Sequence, residues 1–262
     1  MHDNGYYDGS RTRTLTQPER QRVAELLLRH RPRLGEGSWP PLVRGRTPTK
    51  REANEFFLGC SIDYQQDSGR AWDGADEFVH ADLGNPGDLW TSIIRLYRSD
   101  RRRWTKLSSK LHRWPNVRSR LPERIAPAIL QLYDGDVRKI WKGGRTPYEV
   151  TYRVSSEIRL GAQLSRMVAG ALIDMELIPQ GRAEIKGDSN VTRVMGRIFG
   201  MVLKPDDAVA LARTLYPQCA WKLDRPLFAI GADWCFEGQP QCQECYLREA
   251  CSHAKGRRPA RG

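Results

Sequence analysis

Apolar side chains recur every three or four residues along most of this chain, and no stretch alternates over the length of a strand. The first periodic run follows Thr16-Gln17-Pro18-Glu19, which reads as a capping box with proline at the first helical position. Val23, Leu26, Leu27 and Leu28 form its stripe, and Pro32 ends it. Residues 33 to 49 hold Gly, Pro and Ser and read as a loop. A helix is expected from Glu52 to Gln65, with Phe56, Phe57 and Cys60 at core spacing. The polar, Gly-rich residues 66 to 86 interrupt the pattern. It resumes over Asp88–Leu96 and over Pro122–Tyr133, where Ile125, Ile129, Leu130 and Tyr133 share one face. Beyond Gly143-Gly144 the spacing predicts helices over Tyr148–Glu157 and Ser165–Asp174, with a break at Gly161. A loop from Pro179 to Gly187 leads to helices over Asn190–Phe199, Pro205–Leu215 and Lys222–Ile230. The fold class is therefore all-α. Residues 1–15 show no periodic order and read as a flexible arm, and 256–262 form a basic tail.

Composition narrows the class. The 262 residues are 39% apolar and 28% charged, too apolar for a disordered chain and too polar for a membrane protein. The N-terminus has no apolar segment of the kind that directs secretion. The formal net charge is +12, which asks for a polyanionic partner, nucleic acid first. The excess is concentrated: from Arg101 to Arg145 there are thirteen basic residues against three acidic ones, with Trp104, Trp114, Tyr133 and Trp141 between them. Solvated helix faces with core-facing aromatics would give the same pattern.

Four of the six cysteines, Cys235, Cys242, Cys245 and Cys251, crowd together as C-x6-C-x2-C-x5-C. Reduced, they could converge on one metal site through short loops. A single C-x2-C flanked by longer gaps differs from the paired knuckles of most structural zinc sites. A cubane iron–sulfur cluster is larger and accepts a compact loop. Zinc, a cubane and two disulfides all remain open on spacing alone. Cys60 and Cys219 read as buried packing thiols.

The same spacing, preceded by Gly231-Ala232-Asp233-Trp234, resembles the end of the helix-hairpin-helix (HhH-GPD) DNA glycosylases of the endonuclease III type. Further upstream, Lys186-Gly187-Asp188-Ser189-Asn190-Val191-Thr192-Arg193-Val194 resembles the junction that bears the catalytic aspartate, in the form of the adenine-glycosylase branch. That resemblance implies a [4Fe–4S] cluster on the four cysteines and Asp188 as the catalytic carboxylate. Cleaving an N-glycosidic bond builds positive charge on the sugar, which a nearby carboxylate stabilises while it orients water. Asp188 also suits a plain helix N-cap, and both roles can coexist.

The resemblance places a DNA-holding hairpin at Leu160–Arg166. One glycine stands where two are expected, and two registers compete. Gly161 is the choice for the turn, with Gln163, Ser165 and Arg166 beside it. The position of a Schiff-base lysine falls on Ser165 or Met167, so water is the expected nucleophile and the enzyme monofunctional. Lys186 is the residue a displaced lyase amine would use. DNA contacts are also assigned to Lys186, Asn190 and Arg193.

The run Phe56 to Gln66 resembles the family's first barrel helix, whose glutamines fill the hole left by a flipped base. Here these are Gln65 and Gln66, with Ser61, Asp63 and Tyr64 as base-pocket candidates. Ser61 stands where the adenine branch keeps a catalytic glutamate.

The resemblance thus implies two all-α lobes with DNA across the cleft between them. The barrel would span 50–186, and the cluster lobe 16–49 with 187–255. The expected function is base excision from double-stranded DNA bearing a flipped nucleotide, by a monomer in the cytoplasm at the nucleoid, with no membrane partner. Two other readings stand beside it: a catalytically silent, cluster-bearing DNA binder, and a zinc-stabilised nucleic-acid module.

Overall fold

The computed structural model describes residues 15–35, 38–64, 66–81, 88–113 and 121–256, and no strand occurs among them. The helices are α1 (Gln17–Arg29), α2 (Lys50–Ile62), α3 (Ser68–His80), α4 (Leu89–Ser99), α5 (Arg101–Ser108) and α6 (Leu121–Tyr133). They continue as α7 (Pro147–Tyr152), α8 (Ala162–Asp174), α9 (Ser189–Phe199), α10 (Pro205–Leu215), α11 (Asp224–Asp233) and α12 (Ser252–Gly256). None is long and apolar enough to cross a membrane.

Reciprocal threonine–glutamate pairs set three of the helix starts. Thr16 with Glu19, Thr49 with Glu52, and Thr146 with Glu149 each form a capping box. Thr49 therefore starts α2 two residues before the expected Glu52. At the other end α2 stops at Ile62, with Asp63 as its cap. The expected last turn contains Gln65, which lies outside the described residues, as does Trp114.

Three helices, α3, α5 and α12, fall where none was expected. The interval read as a polar interruption forms α3, whose Ala71, Ala75, Phe78 and Val79 are buried. These follow i, i+4, i+7, i+8 spacing, a helical stripe that two glycines and four charged residues conceal. A Cβ on Gly74 would stand 3.5 Å from the Lys110 carbonyl, so this face of α3 lies against the 110–111 backbone.

The chain divides into two compact units, Met1–Arg33 with Gly181–Gly262, and Leu34–Gln180. In the first, α1 packs with α9, α10 and α11 around Leu27, Val191, Met195, Val209, Leu223 and Leu227. Leu15, the last residue of the expected arm, is buried in this core, while residues 1–14 lie outside the described set. The second unit is built on α2, buried from Ala53 through Ile62. Its Asn54 amide makes three bonds: Oδ1 accepts from Trp90 Nε1 at 3.0 Å and Val137 N at 3.4 Å, and Nδ2 donates to Gly135 O at 3.2 Å.

Residues 34–49 belong to this second unit rather than to the cluster lobe of the expectation. Gly45 N donates to Met175 O at 2.9 Å, and Arg44 pairs with Glu176 at 2.6 Å. The tie is to the end of α8, far along the chain, and no local pattern announces it.

Candidate functional site

The junction before α9 is held from three sides. Ile185 is buried, Lys186 N donates to Asp224 Oδ1 of α11 at 2.6 Å, and Gly187 adopts φ +69°. A Cβ on Gly187 would also come within 3.2 Å of the Pro205 carbonyl, so glycine is required by conformation and by space. The chain then turns into α9 with Asp188 as N-cap. Its Oδ1 accepts from Val191 N at 2.9 Å. The capping role anticipated for this residue is therefore real. Oδ2 meets no partner among the described residues, so a fixed carboxylate keeps one oxygen available for chemistry.

Asn190 and Arg193, the expected DNA contacts beside it, are engaged inside this unit. Arg193 donates to the Cys235 carbonyl at 2.7 Å, the Gly231 carbonyl at 2.9 Å and Asn190 Oδ1 at 2.7 Å. Gly231 permits this: a Cβ there would stand 2.7 Å from Asn190 Cβ, so α11 crosses α9 in direct backbone contact. The sequence reading missed Arg197, one turn further along α9. It donates to Cys235 Sγ at 3.1 Å, to Phe236 O at 2.7 Å and to Glu237 O at 2.8 Å. Two arginines spaced i, i+4 thus hold the entrance of the cysteine loop. The available signal was that spacing; the partners are carbonyls forty residues away.

Cys235, Cys242, Cys245 and Cys251 line a single cavity with Val194, Arg197, Ile230 and Leu247. All four are free thiols, half-buried. Burial pushes the Cys251 thiol up to about 11 and raises that of Cys245, and the neighbouring sulfurs reinforce both shifts. Leu247 is buried and anchors the loop, Tyr246 stacks on His30 of α1 at 4.3 Å, and Trp234 meets Tyr246 edge-on at 5.7 Å. Among the described residues no three His, Cys, Asp or Glu side chains are gathered tightly enough to ligate one ion. Cys60 and Cys219 are buried, as expected of packing thiols.

In the other unit, α7 ends in a single π-type turn, Arg153–Glu157, before the chain reverses into α8. The left-handed residue of that reversal is Arg159, φ +62°, two positions before Gly161. Gly161 itself has φ −55°, caps α8, and has nothing within 4 Å of where a Cβ would stand. An arginine thus holds a conformation that favours glycine, at some cost in strain. Gln163 and Arg166 are half-buried in the first turns of α8. Ser165 is buried, its hydroxyl donating to Leu160 O at 2.9 Å and Gly161 O at 3.1 Å. Met167 is also buried, so no amine stands in either candidate register.

At the C-terminal end of α2, Ser61 is buried and donates to Leu58 O at 2.7 Å, within its own helix. Asp63 is buried and accepts from Ser68 Oγ at 3.2 Å. Tyr64 O accepts from His112 Nε2 at 2.6 Å. Gln66, expected to enter DNA, is instead a clip. Its amide donates to Ile62 O at 2.9 Å and Leu111 O at 3.3 Å, and Arg113 N donates to its Oε1 at 3.2 Å.

No protein-family model and no curated protein sequence matches this chain. Solved structures do. The chain aligns with a thermostable thymine-DNA glycosylase at a TM-score of 0.61 and 16% identity, covering 92% of this chain and 98% of that one. It aligns with endonuclease III, trapped as a covalent intermediate with DNA, at a TM-score of 0.64 and 13% identity, covering 93% and 99%. The fold is that of the helix-hairpin-helix DNA glycosylases. At these identities the likeness is one of architecture, and it spans both units of the chain.

Proposed function

We propose that the chain is a DNA base-excision glycosylase that hydrolyses the N-glycosidic bond of a damaged or mismatched base flipped out of duplex DNA. The observation that carries this reading is Asp188: a carboxylate locked by its N-cap bond, with its second oxygen unpartnered, at the junction preceding α9. As the bond from C1′ to the base breaks, the electron pair leaves with the base and positive charge develops on the sugar. Asp188 stabilises that charge and takes the proton of the attacking water. The lack of an amine at Ser165 and Met167 supports a monofunctional enzyme. The open space over Gly161 supports close approach of a DNA phosphate to the N-terminus of α8.

The shared cavity of Cys235, Cys242, Cys245 and Cys251 supports a [4Fe–4S] cluster as resident group. Such a cluster would order the 235–251 loop and contribute no step of the hydrolysis. Arg193 and Arg197 serve that loop and hold α9, whose N-cap is Asp188.

The test is a panel of duplexes carrying damaged or mismatched bases, incubated with holoprotein and then treated with alkali. Alkali-dependent breaks at one lesion, lost in Asp188→Asn, are the expected result. Tight binding with no breaks at any lesion would favour the silent binder, a reading to which the buried, intrahelical Ser61 and the clipped Gln66 lend themselves. Breaks without alkali would point to lyase chemistry at Lys186.

A further inference from the structure

The fold accounts for every feature of α5 except its charge. Trp104 is buried between Phe78 and Tyr97, edge-on to both at 5.9 and 6.0 Å. Asp100 caps the helix by accepting from Arg103 N at 2.9 Å, and Leu111 and His112 are buried at its far end. What remains outside is positive. From Arg95 to Arg113 there are eight basic residues and one acidic residue, Asp100. All eight basic residues are exposed.

Packing does not explain them. Arg101, Arg102 and Arg103 occupy the first turn of α5, where the helix dipole disfavours cations, and Arg102 and Lys106 repel each other at i, i+4. Lys110 pairs with Glu77 at 2.8 Å, and Arg101 lies 3.6 Å over the Tyr97 ring. Arg95, Arg98, Arg102 and Lys106 meet no carboxylate or ring among the described residues. The strip is also tied to the end of α2, through Gln66 to Leu111 and Arg113 and through His112 to Tyr64.

We propose that the strip from Arg95 to Arg113 is a phosphate-tracking surface for duplex DNA, leading along the backbone to the end of α2. The proposal rests on the glycosylase reading for its substrate. The choice of duplex follows from what the strip lacks. Its tryptophan is buried and Tyr97 is covered by Arg101, so no ring is free to stack on unpaired bases. No large apolar side chain of 95–113 is exposed, so nothing would insert into a lipid surface. Guanidinium and ammonium groups alone read backbone charge, without sequence.

The test compares full-length holoprotein with the R98Q/R102Q/K106Q variant, after matched circular dichroism and melting curves, on a lesion-free duplex across a salt series. Each lost phosphate contact lowers the slope of log affinity against log salt by roughly 0.9, so the variant's slope falls by about 2 to 3. Its affinity at low salt drops at least tenfold, while the charge-conserving R98K/R102K variant stays near wild type. Single-turnover excision at saturating protein is unchanged. Equal affinity and slope in the glutamine variant and wild type would overturn the proposal, as would tighter wild-type binding to single-stranded RNA or to phosphatidylserine vesicles. A strip that governs duplex binding in a protein that excises no base would support the surface and refute the glycosylase reading.

Discussion

At the scale of single residues, conformation and chemistry meet at 187 and 188. Gly187→Ala would place a Cβ at φ +69° and within 3.2 Å of a carbonyl, both against the fold. The variant is expected to lose roughly 1–2 kcal/mol in denaturant unfolding, with a matching loss of activity as the Asp188 junction shifts. Glu55 gives a prediction in pH. Burial, then the Asp76 charge, raises its carboxyl above the ordinary value while His80 and Arg51 oppose this. A carboxyl raised in the folded state binds its proton more tightly there, so the ionised form subtracts stability as pH climbs above the unfolded value near 4.5. Glu55→Gln is therefore expected to melt higher than wild type at pH 7 and to converge with it at pH 4. A constant offset across that range would contradict the assignment. Asp188 was legible in the sequence because a cap residue and a family junction coincide there. Arg193, Asn190 and Gln66 were legible only as polar residues at plausible positions. Their partners come from chain segments up to forty-seven residues away, which no local pattern encodes.

At the scale of elements, the starts of α1 at the Thr16 capping box and of α10 at Pro205 were readable, whereas the Thr49 and Thr146 boxes begin α2 and α7 two residues and one residue before the expected starts. α3 was not readable, because its core positions are two alanines, a phenylalanine and a valine scattered among charges. The turn before α8 was half-readable. Its break was placed at Gly161, whereas the left-handed residue is Arg159, a side chain that propensity would not place there. The cysteine loop hangs on α9 through Arg197, which bonds one thiol and two carbonyls. Arg197→Ala should free Phe236 and Glu237 and leave the half-buried Cys235 thiol without its donor. The expected result is a lower iron-to-protein ratio, a weaker visible absorption band and a melting point several degrees lower, since bonds from charged donors contribute about 1.5–3 kcal/mol each. Unchanged iron content would show that the cysteines alone organise the loop.

At the scale of the whole molecule, each unit has its own core, and the expected machinery is shared between them. Asp188 and the four cysteines belong to the unit built on α1, α9, α10 and α11. The Arg159 reversal, the end of α2 and the basic strip belong to the other. The all-α class followed from periodicity, and so did most of the helices, with α3, α5 and α12 the exceptions. The boundary at 33/34 did not, because residues 34–49 carry no periodic signal and are claimed by contacts to Met175 and Glu176. The net charge of +12 gains a location, since eight of the basic residues lie on the 95–113 strip. The central claim concerns chemistry at Asp188, and direct detection of released free base tests it without relying on strand breaks. Holoprotein in excess over each lesion duplex, sampled through a single turnover, should liberate one base species. Asp188→Asn should bind that duplex as tightly and release the base at least a hundredfold more slowly. Release from Asp188→Asn at the wild-type rate would contradict the account.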